Sequence, residues 1–104
     1  MDDRASIVDK VREYKAIVNS MLPIPIEQYW LFGSYAKGTP RKHSDIDIAM
    51  VVNHIEEDIY WDNLPLLWKL TNQVDNRIEP VLIARDTDYA GFIDEIQRTG
   101  ILIN

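Results

Sequence analysis

The chain has 104 residues, of which 46% are hydrophobic and 27% charged, and its net charge is −6. This length and balance predict one globular domain, residues 1–104, with a single core. The acidic balance excludes an extended nucleic-acid surface, which needs a basic footprint. No apolar run approaches the ~20 residues that span a bilayer, and no signal-peptide pattern opens the chain. Without any cysteine, disulfides are excluded, and we expect a cytoplasmic protein.

The chain begins with a predicted amphipathic helix. Apolar residues recur at helical spacing from position 7 to position 22. Ser6 and Asp9 form a weak version of a capping box at the start of this helix. Pro23 and Pro25 lie where the helix has to end, because proline cannot continue it.

Two predicted strands follow, separated by a glycine-containing loop. Residues 27–32 are aromatic and nearly continuously apolar, which is typical of a strand buried on both faces. Residues 34–37 are predicted as a short helix or turn closed by Gly38. Residues 45–52 are rich in isoleucine and valine and are predicted as the second strand.

The next two predicted elements are a helix and a third strand. Acidic residues at 56–58 suit a helix N-terminus, where negative charge is favourable. Trp61 and Trp68 lie seven residues apart on one face of this helix and are predicted as core more readily than as interface. Residues 78–84 are predicted as a strand at a sheet edge, because Pro80 removes a ladder donor.

A last predicted helix is capped by Asp86 or Thr87 and ends at Gly100. The apolar residues 101–103 either pack onto the sheet or form a contact surface. This order of elements predicts an α/β fold, a small sheet covered by helices.

Four residues near the first two strands form the main motif. Gly33 and Ser34 follow the first strand, and Asp45 and Asp47 come after ten intervening residues. Glycine lets the backbone approach a phosphate closely, and the N–H groups at a helix start favour an anion. Residues two apart on a strand point to the same face, so both carboxylates could hold Mg²⁺, or bridge two ions ~3.5–4 Å apart. The motif predicts a site for a nucleoside triphosphate held through Mg²⁺.

The loop inside this motif is basic. Residues 37–43 contain three basic side chains, one histidine and no acid. A positive island in an acidic chain suits a small polyanion such as a triphosphate, although a solvated surface loop is an ordinary alternative. The candidates for phosphate binding are Lys37, Arg41 and Lys42, with Ser44 as a further nucleotide-binding candidate.

Glu79 is the candidate for a third acid. It is the only charged residue of the predicted strand 78–84, and an acid within an apolar strand needs an explanation. On a strand beside Asp45 and Asp47, it could ligate a metal ion or act as a general base. Each feature alone has an ordinary alternative: a solvated strand face, a turn, or a surface residue on an edge strand. Their combination at fixed spacing favours the chemical interpretation.

The signature Gly33-Ser34, ten residues, then Asp45-Ile46-Asp47 resembles that of the polymerase-β-like nucleotidyltransferase superfamily. The short length resembles its minimal nucleotidyltransferase (MNT) branch, and the similarity covers nearly the whole chain. The resemblance implies an α+β fold, a small mixed sheet flanked by about four helices. It also implies that Asp45, Asp47 and Glu79 bind Mg²⁺, two ions in all, and that Gly33 and Ser34 bind the triphosphate of ATP.

Bacterial and archaeal members of that branch are commonly antitoxins paired with a helical HEPN ribonuclease. Some of them transfer AMP from ATP to a tyrosine of the toxin. The resemblance therefore implies a Mg²⁺-dependent adenylyltransferase that acts as an antitoxin on a HEPN-type partner. The composition predicts no membrane partner and no extended nucleic-acid surface. Two alternatives stay open. One is a module that neutralises its partner by contact alone, and the other is transfer to a small molecule with the help of a second helical subunit.

Overall fold

A four-stranded mixed sheet with helices on both faces forms the fold, as a computed structural model of residues 3–41 and 44–104 describes it. The elements in chain order are α1 (Arg4–Met21), β1 (Gln28–Phe32), α2 (Ser34–Lys37), β2 (Ile46–Val52), α3 (Glu57–Thr71), β3 (Ile78–Ala84), a 3-10 turn (Arg85–Thr87), α4 (Phe92–Thr99) and β4 (Ile101–Ile103). The mixed α/β fold predicted from the sequence is therefore confirmed. Among the described helices, none combines the length and the apolar character needed to cross a membrane.

The strands lie in the order β3-β2-β1-β4. The β1 strand pairs antiparallel with both β2 and β4, whereas β2 and β3 are parallel. Parallel neighbours need a crossover connection, and α3 supplies it. The β3 strand lies at an edge of the sheet, as Pro80 predicts. The terminal residues pack onto the sheet as β4, which settles the alternative left open for 101–103.

Each face of the sheet has its own apolar cluster. The larger one lies between the sheet and helices α1 and α3, and it includes Ile7, Val11, Tyr14, Val18, Ile46, Ile48, Met50, Leu67 and Leu70. The smaller one lies beneath α4 and consists of Trp30, Ala49, Val51, Ile93 and Ile96. Alternation along β2 thus sends its isoleucines towards α1 and α3, and the residues between them towards α4.

Both N-terminal helix caps predicted from the sequence are wrong, whereas Gly100 ends α4 as predicted. The carboxylate of Asp3, and not the Ser6–Asp9 pair, caps α1 by accepting a hydrogen bond from the Ser6 N–H at 2.8 Å. The carboxylate of Asp88 accepts from the first two N–H groups of α4, at 2.9 and 2.7 Å. Asp86 and Thr87, the predicted caps of α4, belong instead to the preceding 3-10 turn. In each case the acid that reaches the unpaired N–H groups lies one turn away or less from the predicted one.

The predicted core position of the two α3 tryptophans is also wrong. Trp61 is 58% exposed and Trp68 is 45% exposed. The sheet-facing side of α3 is occupied by Leu67 and Leu70, which are buried. The Tyr14 hydroxyl donates a hydrogen bond to the Leu67 carbonyl oxygen at 2.8 Å and fixes this rotation of the helix. The tryptophans therefore face outwards.

A network around Asp75 ties the loop before β3 to two helices. Its carboxylate accepts hydrogen bonds from Lys10 Nζ at 2.7 Å and from Arg77 Nη2 at 2.7 Å. The Arg77 guanidinium also donates to the Tyr35 hydroxyl in α2, at 3.2 Å. The Asp75 side chain is only 11% exposed, and its hydrogen bonds with Arg77 lower its pKa below the ordinary value of 3.8.

We expect Asp75→Asn to lower the free energy of unfolding at pH 7 by about 2 kcal/mol, because two charge-assisted contacts are weakened. The folded-state pKa of Asp75 is lowered, so its contribution is complete above the ordinary aspartate pKa and is lost as the pH falls through the folded value. The difference in the free energy of unfolding between the native protein and Asp75→Asn, measured by urea denaturation, should therefore be smaller at pH 3 than at pH 7.

The matched control is Asp9→Asn, which removes an exposed ion pair with Arg12 and should change stability by less than ~0.5 kcal/mol. A difference for Asp75→Asn that is equal at both pH values would contradict the electrostatic origin of the effect.

Candidate functional site

The turn between β1 and α2 places backbone directly against a carboxylate. Gly33 has φ 73° and ψ −152°, a conformation that residues with a side chain rarely adopt. A β-carbon on Gly33 would lie 2.1 Å from Oδ2 and 3.1 Å from Cγ of Asp47. Only glycine both adopts this positive φ readily and leaves room for the Asp47 carboxylate. The first residue of the predicted motif therefore lies against one of its two aspartates.

The α2 helix is held in place at its C-terminus. Gly38 ends it in the left-handed conformation, with φ 75°. The guanidinium of Arg4 donates to the carbonyl oxygens of Ala36 at 2.9 Å and of Tyr35 at 3.3 Å. These carbonyls lie at the end of a helix, where they have no partner within it and favour a cation. Helix α1 thus fixes the short helix that begins at the glycine turn.

Asp47 and Glu79 face each other on the side of the sheet that α4 partly covers, and Asp45 lies close enough for its charge to act on Asp47; we call these three acids the carboxylate cluster. Asp47 is directly paired with Glu79 in the parallel register of β2 and β3. Burial raises the pKa of Asp47 to about 6, helped by the negative charge of Glu79, a side-chain hydrogen bond with Glu79, and the charge of Asp45. Asp45 lies just before β2 and not within it, contrary to the predicted strand start. Asp47 is half-buried, whereas Asp45 and Glu79 are exposed.

The predicted basic loop lies beside this cluster along the chain. Lys37 is exposed at the last position of α2. The Ser44 hydroxyl accepts a hydrogen bond from the N–H of Arg41 at 2.6 Å, and the Ser44 N–H donates to the Arg41 carbonyl oxygen at 3.0 Å. These two bonds close the loop immediately before Asp45. Lys42 lies outside the described residues, and phosphate binding by the loop stays a prediction.

The carboxylates have the chemistry of a magnesium site, although the described residues contain no group of three acidic, histidine or cysteine side chains already arranged around a metal position. Mg²⁺ commonly binds one or two carboxylates and completes its shell with water and substrate phosphates. Burial, and then the negative charges of Glu79 and Asp45, raise the pKa of Asp47, and a divalent cation would favour its ionised form. Asp47 and Glu79, with Asp45 beside them, therefore fit Mg²⁺.

Two aromatic residues of this face were missed by the sequence analysis as site residues. Phe32 is the cross-strand partner of Asp47 and directly precedes Gly33. Its ring meets the ring of Phe92 edge to face, with the centroids 5.6 Å apart. The position of Phe32 next to Gly33 was the available signal, whereas nothing in the sequence links Phe92 to it.

Two surface grooves lie at the opposite end of β2 and β3 from the carboxylates. One has a volume of about 390 Å³ and lies between α3 and the end of β3, and the other, of about 440 Å³, adjoins His54. His54 contacts the carboxylates of Asp86 at 2.5 Å and Glu56 at 2.9 Å. Hydrogen bonds to Glu56 and Asp86 raise the pKa of His54. These features are separate from the carboxylate cluster.

Comparison with known protein families matches most of this chain to one family model. The family model described as polymerase beta, nucleotidyltransferase, matches residues 15–104. A candidate protein adenylyltransferase from Methanocaldococcus jannaschii is 26% identical over 100 residues, which cover 91% of this chain and 96% of that protein.

Solved structures share the fold. A candidate nucleotidyltransferase from Sulfolobus solfataricus superposes with a TM-score of 0.68 at 22% identity, covering 95% of this chain and 80% of that one. A toxin–antitoxin complex crystallised with AMP-PNP contains a chain that superposes with a TM-score of 0.63 at 23% identity, covering 93% and 72%. At these identities the structural likeness establishes the fold.

We expect Gly33→Ala to lower the free energy of unfolding by about 1–3 kcal/mol from backbone strain, and by more from its contact with the Asp47 carboxylate. Gly91→Ala is a matched control, because Gly91 also has a positive φ of 72° but has nothing within 4 Å of an added β-carbon. Urea denaturation should show a larger loss for Gly33→Ala. Equal losses would contradict a close approach of Gly33 to Asp47.

Proposed function

Since this chain belongs to the polymerase beta nucleotidyltransferase family, we propose that it transfers AMP from ATP to a hydroxyl group of a partner protein. The acceptor we propose is a tyrosine of a helical HEPN-type toxin, which the transfer silences, so that this chain acts as an antitoxin. The pairing of Asp47 with Glu79, next to Gly33, carries this proposal, because it gathers carboxylates and a side-chain-free backbone turn at one point.

The reaction is an in-line displacement at the α-phosphorus of ATP. The acceptor oxygen forms a bond to this phosphorus while the bond to the bridging oxygen of the pyrophosphate breaks, and pyrophosphate leaves. The backbone N–H groups and the hydroxyl at Gly33-Ser34, with Lys37, Arg41, Lys42 and Ser44 from the adjoining loop, bind the phosphates. Catalysis then consists mostly of positioning and electrostatic stabilisation.

The three acids have two tasks in this proposal, and Glu79 takes part in both. Asp45, Asp47 and Glu79 would hold two Mg²⁺ ions, which would neutralise charge on the phosphates. Glu79 is exposed on the edge strand, where an acceptor hydroxyl can approach, and it takes the proton that the hydroxyl loses. Asp47 lies further inside, against Gly33.

Partner modification agrees with what similar proteins are called. The M. jannaschii relative is named for adenylyl transfer to protein, and the AMP-PNP complex described above pairs a toxin with an antitoxin.

One observation favours a second candidate function, neutralisation by contact alone. Trp61 and Trp68 expose an aromatic face on α3, on the side of the sheet away from the carboxylates.

The test measures how much label the native chain and the Asp47→Asn variant each transfer from [α-³²P]ATP to a co-purified HEPN-type protein. We expect Asp47→Asn to reduce transfer by about 100-fold or more, because a carboxylate that would hold Mg²⁺ against the phosphates is lost. Mg²⁺ with ATP at 100 times its dissociation constant should stabilise the native chain by about 2.7 kcal/mol, and this stabilisation should disappear in the variant.

Asp47→Asn should not lose stability without ligand, because an uncharged amide removes the repulsion with Glu79. Asp62→Asn, an exposed acid on α3, is the matched control and should transfer normally. Full transfer by Asp47→Asn would remove this residue from the mechanism. Loss of transfer with unchanged protection of cells from the toxin would favour the contact mechanism.

A further inference from the structure

An aromatic pair borders the carboxylate cluster on the same face of the sheet. Directly opposed residues of antiparallel strands point to the same face, so the ring of Phe32 lies on the side of Asp47. Phe32 also directly precedes Gly33, so the pair begins where the phosphate-binding turn begins. The ring of Phe92 meets the ring of Phe32 edge to face, at an interplanar angle of 87°.

Phe92 faces outwards on a fixed backbone. It is the first residue of α4 and is 37% exposed, whereas Ile93 and Ile96 of the same helix are buried in the cluster beneath it. The N–H groups of Phe92 and Ile93 both donate to the Asp88 carboxylate. Part of the ring is therefore open to a ligand beside the site, at a helix start held by two hydrogen bonds.

Such a surface suits the nucleobase of the bound nucleotide. A nucleotide whose phosphates lie at Gly33 and the carboxylates has room to extend its ribose and base along this face of the sheet. On the β1 side of that face stand the two phenylalanine rings. Aromatic side chains stack on bases with a gain that is tolerant of sequence, since every base has a π-face. The two-ring purines offer more area for this contact than the pyrimidines.

We propose that Phe92, supported by Phe32, stacks against the nucleobase of the substrate and gives the site a preference for purine nucleoside triphosphates. The inference rests on the proposed function, because it requires a nucleoside triphosphate at the carboxylates. It adds a position and a specificity to that site, from residues outside the catalytic motif.

The test compares binding of two probes, Mg²⁺ with ATP and Mg²⁺ with inorganic tripolyphosphate, by isothermal titration calorimetry. We expect Phe92→Ala to weaken ATP binding by about 5- to 150-fold, the range for loss of one base–aromatic stack. Tripolyphosphate has no base, so its affinity should stay within about twofold of the native value. Phe92→Trp should retain the native affinity for ATP. In the native chain ATP and GTP should bind more tightly than CTP and UTP, and Phe92→Ala should shrink this difference.

Trp68→Ala is the matched control, because it removes another exposed aromatic ring from the opposite layer and should leave both probes unaffected. Unchanged ATP binding by Phe92→Ala would overturn this inference and leave the proposed function standing. A parallel loss of ATP and tripolyphosphate would also overturn it, because Phe92 would then act on the phosphate turn. A native chain that binds neither probe would overturn the proposed function, and this inference with it.

Discussion

The contact between the backbone of Gly33 and the carboxylate of Asp47 is the constraint on which the site depends. It exists only because residue 33 has no side chain and tolerates a positive φ. The antiparallel register of β1 and β2 brings the end of one strand to the start of the other, and the parallel register of β2 and β3 then adds Glu79. Two strand pairings thus assemble groups from three separate parts of the chain.

The rest of the fold holds these groups together against their own repulsion. Burial of Asp47, together with the negative charges that face it, disfavours its ionised form in the ligand-free protein and raises its pKa to about 6. The surrounding scaffold is stabilised elsewhere, by the buried apolar cluster beneath α1 and α3 and by cations placed on carbonyls and on Asp75. A site whose charges oppose folding therefore lies on a scaffold whose charges support it, and a cation with phosphates removes the opposition.

Much of this arrangement could be predicted, because the determining signals are local. An acid isolated in an apolar strand and a proline beside it placed Glu79 on an edge strand next to the aspartates, as the β2–β3 register has it. The predictions of the N-terminal caps failed because several acids near a helix start offer equivalent carboxylates, and only the path of the chain selects between them. The prediction that the α3 tryptophans are core residues failed because a heptad spacing defines one face of a helix without saying which face meets the sheet. Phe92 is brought to Phe32 by tertiary packing alone.

The uneven exposure of the tryptophans has a spectroscopic consequence. Trp30 is 9% exposed beneath α4, with its indole N–H donating to the Gln28 side-chain oxygen at 3.0 Å, whereas the two tryptophans of α3 are already hydrated. An opening of α4 alone would therefore shift the fluorescence of Trp30 to longer wavelength and leave the emission from α3 unchanged. The fluorescence of Trp30 and that of the exposed tryptophans therefore report separately on the two helical layers of the fold, without any added label.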